Sequence, residues 1–541
     1  MTSSQPTTRS TKHLAMLVLA LLLTAWIAVH WGALKMLNQD EMFVMQTDSV
    51  PTLAEVLHIQ LHYPISLDPM VYHALAHLST SLFGATAFAL RLPSLLGYML
   101  MQVCLYFFVR RATRDHLGEQ QSGVAATVAA IFPLATATLY YAVEARPYGL
   151  LLGLYALALV AWQAATRSEQ TRRWSLPLLA LAVGLALNTH YFAVLLLPVL
   201  YLAELVRTLD RRKLDTALVA ALVLGTACFG LTLPFQKAAK VFRLHYYNAG
   251  TISVRAVSEA YRSLLFDYTW TSTQTQRILA LVFVVVMLAF LFSLYRGWAS
   301  LKLPRAESAL LIALFALPIL GFLLAHFVTH SYEVRYVLGA IISISLLFSL
   351  WLAPLLKSET AHQAAISILG FVILVAVLHE TSLERMKSRA MMQSLEVPAA
   401  VRAALAADPT HNLYIQQMGH YEIAQYYQPD AFLRAHTVLV YDAAREIRFS
   451  GHDTEALTAE HMLHFTALPI VSYDKLRQST AAQDWVAYDS GWDFTADAFA
   501  EDHAQSSPLA PFFEGTVLSV HFPAMVNSNT QAVSAGQGQR P

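Results

Sequence analysis

Apolar stretches of membrane-spanning length recur over the first 380 residues, separated by short polar breaks. About eleven can be placed, near 14–32, 92–110, 122–141, 147–165, 175–190, 191–206, 216–234, 277–295, 307–328, 335–354 and 363–379. The fifth and sixth are short and meet at "NTHYF" (188–192), which predicts a tight hairpin. Between 38 and 90 the pattern is mixed. "VPTLAEVLHIQLHY" and "PMVYHALAHLSTSLFG" keep helical apolar spacing with polar interruptions and predict helices lying along the outer membrane surface. A second long polar loop covers 235–275. Beyond 380 charge rises and short β-like runs appear: "NLYIQQ", "HTVLVYD", "LPIVSYD", "DWVAYD" and "GTVLSVHF". Helical stretches such as "TEALTAEHMLHF" alternate with them, which predicts a small α/β domain over 381–525. The polar segment 526–541 predicts a disordered tail. The expected organisation is an all-α polytopic membrane domain over 1–380, with outer-surface helices, followed by that α/β domain and the tail. No internal repeat is visible.

Composition agrees. The chain has 541 residues, of which 56% are hydrophobic and 13% charged, and its mean hydropathy is +0.46. A soluble protein carries about 25% charged residues. The formal net charge is zero, so nothing global points to nucleic acid. Cys104 and Cys228 both fall in apolar runs and read as small core residues without a disulfide framework. Arg9 and Lys12 precede the first apolar run, which is long for a signal peptide and lacks an A-x-A site; it reads as a retained span.

Lysine and arginine set the orientation. With the N-terminus in the cytoplasm and the spans alternating, the inside loops hold four basic groups. These are Arg110, Arg111 and Arg114; Arg167, Arg172 and Arg173; Arg207, Arg211, Arg212 and Lys213; and Arg296, Lys302 and Arg305. The outside loops keep isolated cations such as Lys35, Arg146 and Arg335, as the positive-inside rule requires. The acids, histidines and tyrosines then fall outside, in "NQDEMFVMQ" (38–46), "HYPISLDP" (62–69), "YAVEARPY" (141–148), "NTHYF" and "HSYEVRY" (330–336). An active site is expected to face outward.

Asp40 and Glu41 follow the first span closely. A carboxylate there can act as a general base or bind a metal, or be a solvated loop acid. Glu144 and Arg146 stand two apart, ahead of Pro147, which predicts a short turn between two helices. Arg146 can grip a phosphate as a bidentate fork, or pair with Glu144 to close the turn. Arg335 opposes the basic trend at the outer end of its span, with Tyr336 beside it and His330 and Glu333 before it; a specific partner or snorkelling to headgroups would explain it. His190 and Tyr191 sit at the hairpin tip. His62, Asp68, His73 and His77 have loose metal-like spacing. Lys237, Lys240, Arg243 and His245 form either a phosphate-attracting patch or a solvated helix face.

Several of these stretches together resemble the GT-C membrane glycosyltransferases. "NQDEMFVMQ" resembles their Asp-Glu segment, and "LDPMVYHALAHLSTSLFGATAFALRLPSLLG" their first-loop stretch ending in ALRLPS. "YYAVEARPYGLLLGLYALAL", "LNTHYFAVLLL" and "EVRYVLGAIISI" follow in family order, so the resemblance covers about 1–355. The nearest group is the bacterial dolichyl-phosphate-mannose-protein-mannosyltransferase-like proteins (glycosyltransferase family 39). Protein O-mannosyltransferases and the aminoarabinose transferases of lipid A are more distant. Two departures stand out: Asp68-Pro69 replaces the usual Pro-Pro, and Gly339 stands where a proline is usual.

The resemblance implies an enzyme of the bacterial inner membrane that moves a sugar from a polyprenyl-phosphate donor to a glycan, lipid or protein acceptor on the periplasmic side, with inversion. It implies that the C-terminal domain is periplasmic. Asp40 would be the catalytic base or acceptor-orienting carboxylate, with Glu41 and Glu144 assisting or binding a metal; Arg146 and Arg335 would neutralise the leaving phosphate, and Glu144, Arg146, Tyr148, His190, Tyr191, Arg335, Tyr336 and Asp68 would bind substrate. A divalent metal is possible in such a site, and no other cofactor is expected. The sugar arrives lipid-linked, so no nucleotide-binding fold is required. Two other classes remain: a transporter or flippase, which would place charges at mid-span, and a non-catalytic cell-envelope assembly protein, which would tolerate amides at Asp40 and Glu41.

Overall fold

The computed structural model describes residues 7–243, 252–266, 273–479 and 484–523. The tail and His245 of the basic patch lie outside them. Contacts divide the chain into two compact units. One reaches Lys240 and resumes up to Met386; the other runs from Lys387 and takes in Val241 and Phe242.

The first unit is helical. Helix α1 (Thr7–Leu34) leads into three shorter helices, α2 (Gln39–Asp48), α3 (Leu53–His62) and α4 (Met70–Phe83). The first two of these start at capping boxes, Asn38 with Glu41 and Thr52 with Glu55, in which each side chain takes the other's orphan backbone N–H. Then come α5 (Ala87–Leu117), α6 (Glu119–Ile131), α7 (Tyr148–Arg167), α8 (Glu169–Leu187), α9 (Leu196–Arg211), α10 (Thr216–Ala227), α11 (Leu233–Ala238), α12 (Val254–Leu265), α13 (Thr273–Gly297), α14 (Arg305–Phe315), α15 (Leu317–Leu324), α16 (Ala340–Leu352) and α17 (Glu359–Ser394).

Each of the eleven apolar stretches falls on helical chain, but among the described residues only seven helices are by themselves long and apolar enough to cross a bilayer. An eighth span needs α14 and α15 together, bent by 55° at Ala316–Leu317, where Pro318 removes a backbone donor. The stretch at 122–141 leaves α6 for two 3₁₀ turns, Phe132–Ala135 and Ala137–Ala142. Pro133 stands at the start of the first turn, where its missing N–H costs no hydrogen bond. Asn188–His190 forms the expected turn between α8 and a 3₁₀ turn, Tyr191–Leu195, that opens α9.

Helices α5 and α7 touch backbone to backbone. A Cβ on Gly97 would lie 2.2 Å from Leu150 Cα, one on Gly153 2.3 Å from Gly97 O, and one on Gly149 2.4 Å from Ser94 O. This stripe of small residues fixes where α7 starts, and so where the 144–148 turn sits. Gly339 has the same use: a Cβ there would lie 2.7 Å from the Tyr155 ring. Thr24 Oγ1 donates to Gln102 Oε1 at 2.9 Å and Gln102 Nε2 donates to Ala130 O at 3.1 Å, tying α1, α5 and α6 in mid-span. Gly97→Ala is expected to lower stability by about 1–3 kcal/mol through overpacking. Thermal unfolding in detergent, beside Gly230→Ala where a Cβ meets nothing within 4 Å, checks it.

The basic connectors gather at the far ends of these helices and pair with acids, of which Glu307 is buried. Arg167 pairs with Glu307, Arg172 and Arg207 with Asp215, Arg110 with Glu119, and Arg305 with Asp210.

The second unit adds α18 (Ala399–Ala406), β1 (Leu413–Ile415), α19 (Met418–Tyr427), α20 (Ala431–Ala435), β2 (Thr437–Tyr441), α21 (Ala443–Ser450), α22 (Thr454–Met462), β3 (Ile470–Ser472), α23 (Tyr473–Ser479), β4 (Asp484–Asp489), α24 (Thr495–Glu501), β5 (Gln505–Phe512) and β6 (Gly515–His521). The sheet order is β3-β2-β1-β4-β6-β5; the first four strands are parallel and the last two form an antiparallel hairpin. All five expected strands are present. Strand β5 was not expected, because Pro508 and Pro511 punctuate its sequence; it lies at the sheet edge, where proline needs no ladder partner.

Candidate active site

The start of α2 places two adjacent acids in opposite surroundings. Glu41 is fully buried. Its Oε1 accepts from Arg91 Nε at 2.8 Å and from the Ala145 backbone N–H at 2.7 Å. Its Oε2 accepts from Arg91 Nη2 at 3.1 Å, Lys35 Nζ at 3.3 Å and the Asn38 N–H at 3.1 Å. Arg91 also donates to the backbone oxygens of Gly32, Lys35 and Met36. Burial pushes the Glu41 carboxyl up, but Lys35 and Arg91 more than offset it and hold it at about 2. Glu41 therefore ties α1, α2, α5 and the 144–148 turn together. Both carboxylate oxygens, which the expected catalytic role would use, are engaged in these contacts.

Asp40 points elsewhere and is 42% exposed. Its Oδ2 lies 3.4 Å from Arg335 Nη1 and 3.9 Å from Arg146 Nε. Two guanidinium groups thus flank one carboxylate oxygen. Arg146 is held from behind: Nη2 is 3.0 Å from Asp68 Oδ2, Nη1 donates to Ser66 Oγ at 3.2 Å, and Ser94 Oγ donates to the Arg146 backbone oxygen. The Tyr148 ring lies 6.0 Å from the Arg146 guanidinium, and that of Tyr336 lies 5.8 Å from the Arg335 guanidinium. Asp68, the departure from Pro-Pro, is thus the buried counter-ion of Arg146.

His190 closes the group. Its Nδ1 accepts the Phe192 N–H at 3.2 Å, so in the neutral ring the proton is on Nε2, which faces Asp68 Oδ1 at 3.7 Å. Tyr148 and Tyr336 pack around its ring with centroids 5.5 and 5.8 Å away, and Tyr336 stacks on Phe192 at 3.8 Å. The Tyr191 hydroxyl is buried with no hydrogen-bond partner. Glu144 is turned from Arg146. Its Oε1 accepts from Asn38 Nδ2 at 3.4 Å, its Oε2 has no hydrogen-bond partner, and burial, partly opposed by Lys35, pushes its carboxyl up. The alternative of a Glu144–Arg146 pair closing the turn gives way to Arg146 with Asp68.

A divalent metal would meet acids that already have neighbours. Asp40 and Glu41 are matched by cations, and Glu144 has a side-chain amide and a nearby ammonium. Among the described residues no three His, Cys, Asp or Glu side chains group as ligands. The loose histidine pattern is dispersed too: His73 Nδ1 meets Asp48 at 2.8 Å, His77 Nδ1 the Asp48 backbone oxygen at 3.1 Å, and His62 Nδ1 the His58 oxygen at 3.0 Å. Lys35, Asn38, Ser66 and Arg91 complete the cluster, and sequence reasoning did not assign them to it. Two carried a signal: Lys35 is an isolated cation after the first span, and Arg91 a cation inside an apolar run at the start of another.

Residues 68–235 match the family described as dolichyl-phosphate-mannose-protein mannosyltransferase. A crystal structure of ArnT from Cupriavidus metallidurans bound to undecaprenyl phosphate superposes over 93% of this chain and 97% of its own, with a TM-score of 0.55 at 14% identity. The fold is of the GT-C type. The same ArnT in its apo state superposes equally well. The archaeal oligosaccharyltransferase AglB from Archaeoglobus fulgidus, in complex with an inhibitory peptide and a dolichol-phosphate, covers 96% of this chain and 75% of its own at 12% identity. Its TM-score of 0.44 is too low to carry an argument. No curated protein matches the chain. This GT-C chain is a multi-pass membrane protein, and it resembles the GT-C superfamily glycosyltransferases.

Proposed function

We propose that the protein is a membrane glycosyltransferase that moves a sugar from a polyprenyl-phosphate donor to an acceptor hydroxyl on a glycan, lipid or protein, at the periplasmic face of the bacterial inner membrane. The observation that carries this is the half-exposed Asp40 carboxylate between the Arg146 and Arg335 guanidinium groups. The undecaprenyl phosphate bound to ArnT supports a lipid-phosphate donor. The placement of the cluster opposite the basic connectors supports the outward orientation.

In the step proposed, Asp40 accepts the proton of the acceptor hydroxyl as its oxygen attacks the anomeric carbon. The bond between that carbon and the phosphate oxygen breaks, and its electron pair leaves with the lipid phosphate. Arg146 and Arg335 neutralise the charge that develops there. Attack from the face opposite the phosphate gives inversion, by analogy with single-displacement sugar hydrolysis. Asp68 and Tyr148 hold Arg146 in place, and the neutral His190 holds its proton toward Asp68.

Arg335 is the cleaner test, because it is 36% exposed and its loss leaves no buried acid alone. Arg335→Ala is expected to reduce kcat by about 10²–10³-fold while the unfolding temperature stays near wild type. The assay is transfer from synthetic polyprenyl-phosphate sugars by purified protein. Wild-type rates from a folded Arg335→Ala protein would sink the assignment.

A further inference from the structure

The end of the helical unit away from Asp40 holds a cavity that the transfer step does not use. Its volume is about 380 Å³, and it lies where α13 gives way to α14. The span that begins in α13 ends in a 3₁₀ turn, Trp298–Leu301, and the bent span of α14 and α15 begins at Arg305. A cavity in the connector between two spans sits at the depth of phospholipid headgroups. The same bent span carries the chain across to the segment that holds Arg335, so the cavity and the Asp40 cluster belong to opposite faces of the membrane. Lipid has access to it, because the last turns of α13 expose Leu288, Phe292 and Tyr295.

The lining changes character with depth. Arg305, Ser308, Ala309 and Ile312 recur at helical spacing and share one face of α14. From the connector into the span, that face offers a guanidinium, a hydroxyl, a small side chain and an apolar side chain that is 56% exposed. Lys302 and Trp298 line the cavity from the connector and the 3₁₀ turn. No carboxylate is among the lining side chains. The neighbouring acid, Glu307, is buried and pairs with Arg167. Arg305 Nη1 donates to Asp210 Oδ1 at 2.8 Å, but that pair is exposed and holds only part of the guanidinium fork.

Lys302 has no counter-ion of this kind. Among the described residues its ammonium makes no ion pair, and neither it, the Trp298 indole N–H nor the Ser308 hydroxyl makes a hydrogen bond. Lys302 also takes the left-handed conformation, φ +50°, which glycine adopts at less cost. The chain thus keeps a cation in the connector where glycine would be easier. Such a lining suits an anion with an apolar continuation. A soluble phosphate uses only its outer part. A phospholipid with a single phosphate uses all of it: phosphate oxygens meet Lys302 and Arg305, glycerol and ester oxygens meet Ser308 and the Trp298 N–H, and an acyl chain follows Ala309 and Ile312. A zwitterionic headgroup brings its own cation toward Lys302 and is disfavoured.

We propose that this cavity binds the headgroup of an anionic phospholipid from the leaflet opposite the Asp40 cluster, with Lys302 and Arg305 on the phosphate. The proposal stands apart from the transferase reading, because it needs neither a donor sugar nor the Asp40 cluster. The experiment is native mass spectrometry of the full chain in detergent, titrated with dioleoyl-phosphatidylglycerol or dioleoyl-phosphatidylcholine. The proteins are wild type, Lys302→Ala/Arg305→Ala, Ala309→Phe and a control, Arg173→Ala/Lys213→Ala, which removes two exposed cations from other basic connectors. Wild type is expected to hold one phosphatidylglycerol per chain in preference to phosphatidylcholine. The Lys302→Ala/Arg305→Ala protein should bind it about tenfold or more weakly. Ala309→Phe, which fills the cavity and leaves every charge in place, should lose it, and the control should bind like wild type. Both cations are exposed, so their removal does not threaten the fold, and unfolding temperature is recorded for each protein. No preference for phosphatidylglycerol in wild type, or undiminished binding in Lys302→Ala/Arg305→Ala, would overturn the proposal. Equal weakening in the control would reduce it to the general attraction of a basic face. Full binding by Ala309→Phe would put the lipid outside the cavity, and displacement by millimolar glycerol phosphate would make the ligand a soluble phosphate; either result also overturns it.

Discussion

Asp40→Asn is expected to abolish measurable sugar transfer while leaving the protein folded and able to bind its donor. An amide in that place has nearly the same shape and keeps an oxygen toward Arg335 and Arg146, but it cannot accept the acceptor's proton. Removing a positioned general base reduces the rate by about 10²–10⁴-fold. The structural penalty is small, because Asp40 is 42% exposed and its contacts to the two arginines, at 3.4 and 3.9 Å, are long for charge-assisted hydrogen bonds. The measurement is single-turnover transfer from a synthetic polyprenyl-phosphate sugar, with donor affinity and unfolding temperature recorded on the same preparation. Persistent transfer in Asp40→Asn would move the base elsewhere; Glu144, with its unpartnered Oε2, would then be the residue to replace. An assembly protein, by contrast, would show no donor-dependent activity to lose.

The cluster was legible because charge at the end of an apolar span is costly and must have a reason. That argument picks out Asp40, Arg146 and Arg335 from sequence, and the fold brings them within 4 Å of one another through a single oxygen. It does not separate Asp40 from Glu41. Successive helical residues point about 100° apart, so neighbours in sequence can meet opposite surroundings, and which one turns inward depends on Arg91, fifty residues away. Asp68 looked like a flaw in a proline pair, and its partner Arg146 lies on another loop. The C-terminal strands were readable from their alternation, except β5, whose two prolines are permitted only because the strand is at an edge. The order of the strands was not readable, since short parallel strands carry no register of their own.

Glu41→Gln tests the other half of the pair, and the expected result is loss of stability before loss of chemistry. The substitution removes the negative charge that Lys35 and Arg91 share in a fully buried position. Breaking a buried ion pair from one side costs about 3–5 kcal/mol, because the partner charges stay buried. Replacing Arg91 by Met in the same protein should recover part of this, since the two residues act through one network and their effects do not add. The wild type carries a pH mark of the same contact. A carboxyl held at about 2 when folded, against an ordinary 4.5, contributes stability that is complete above 4.5 and drains away as pH falls toward 2. Glu41→Gln should lack that component of acid sensitivity. Thermal unfolding in detergent across this pH range, for wild type, Glu41→Gln and the double variant, reads all three effects. A Glu41→Gln protein that unfolds like wild type yet transfers no sugar would give Glu41 a chemical role after all, and would mean that the Arg91 network is slack enough to release it during turnover.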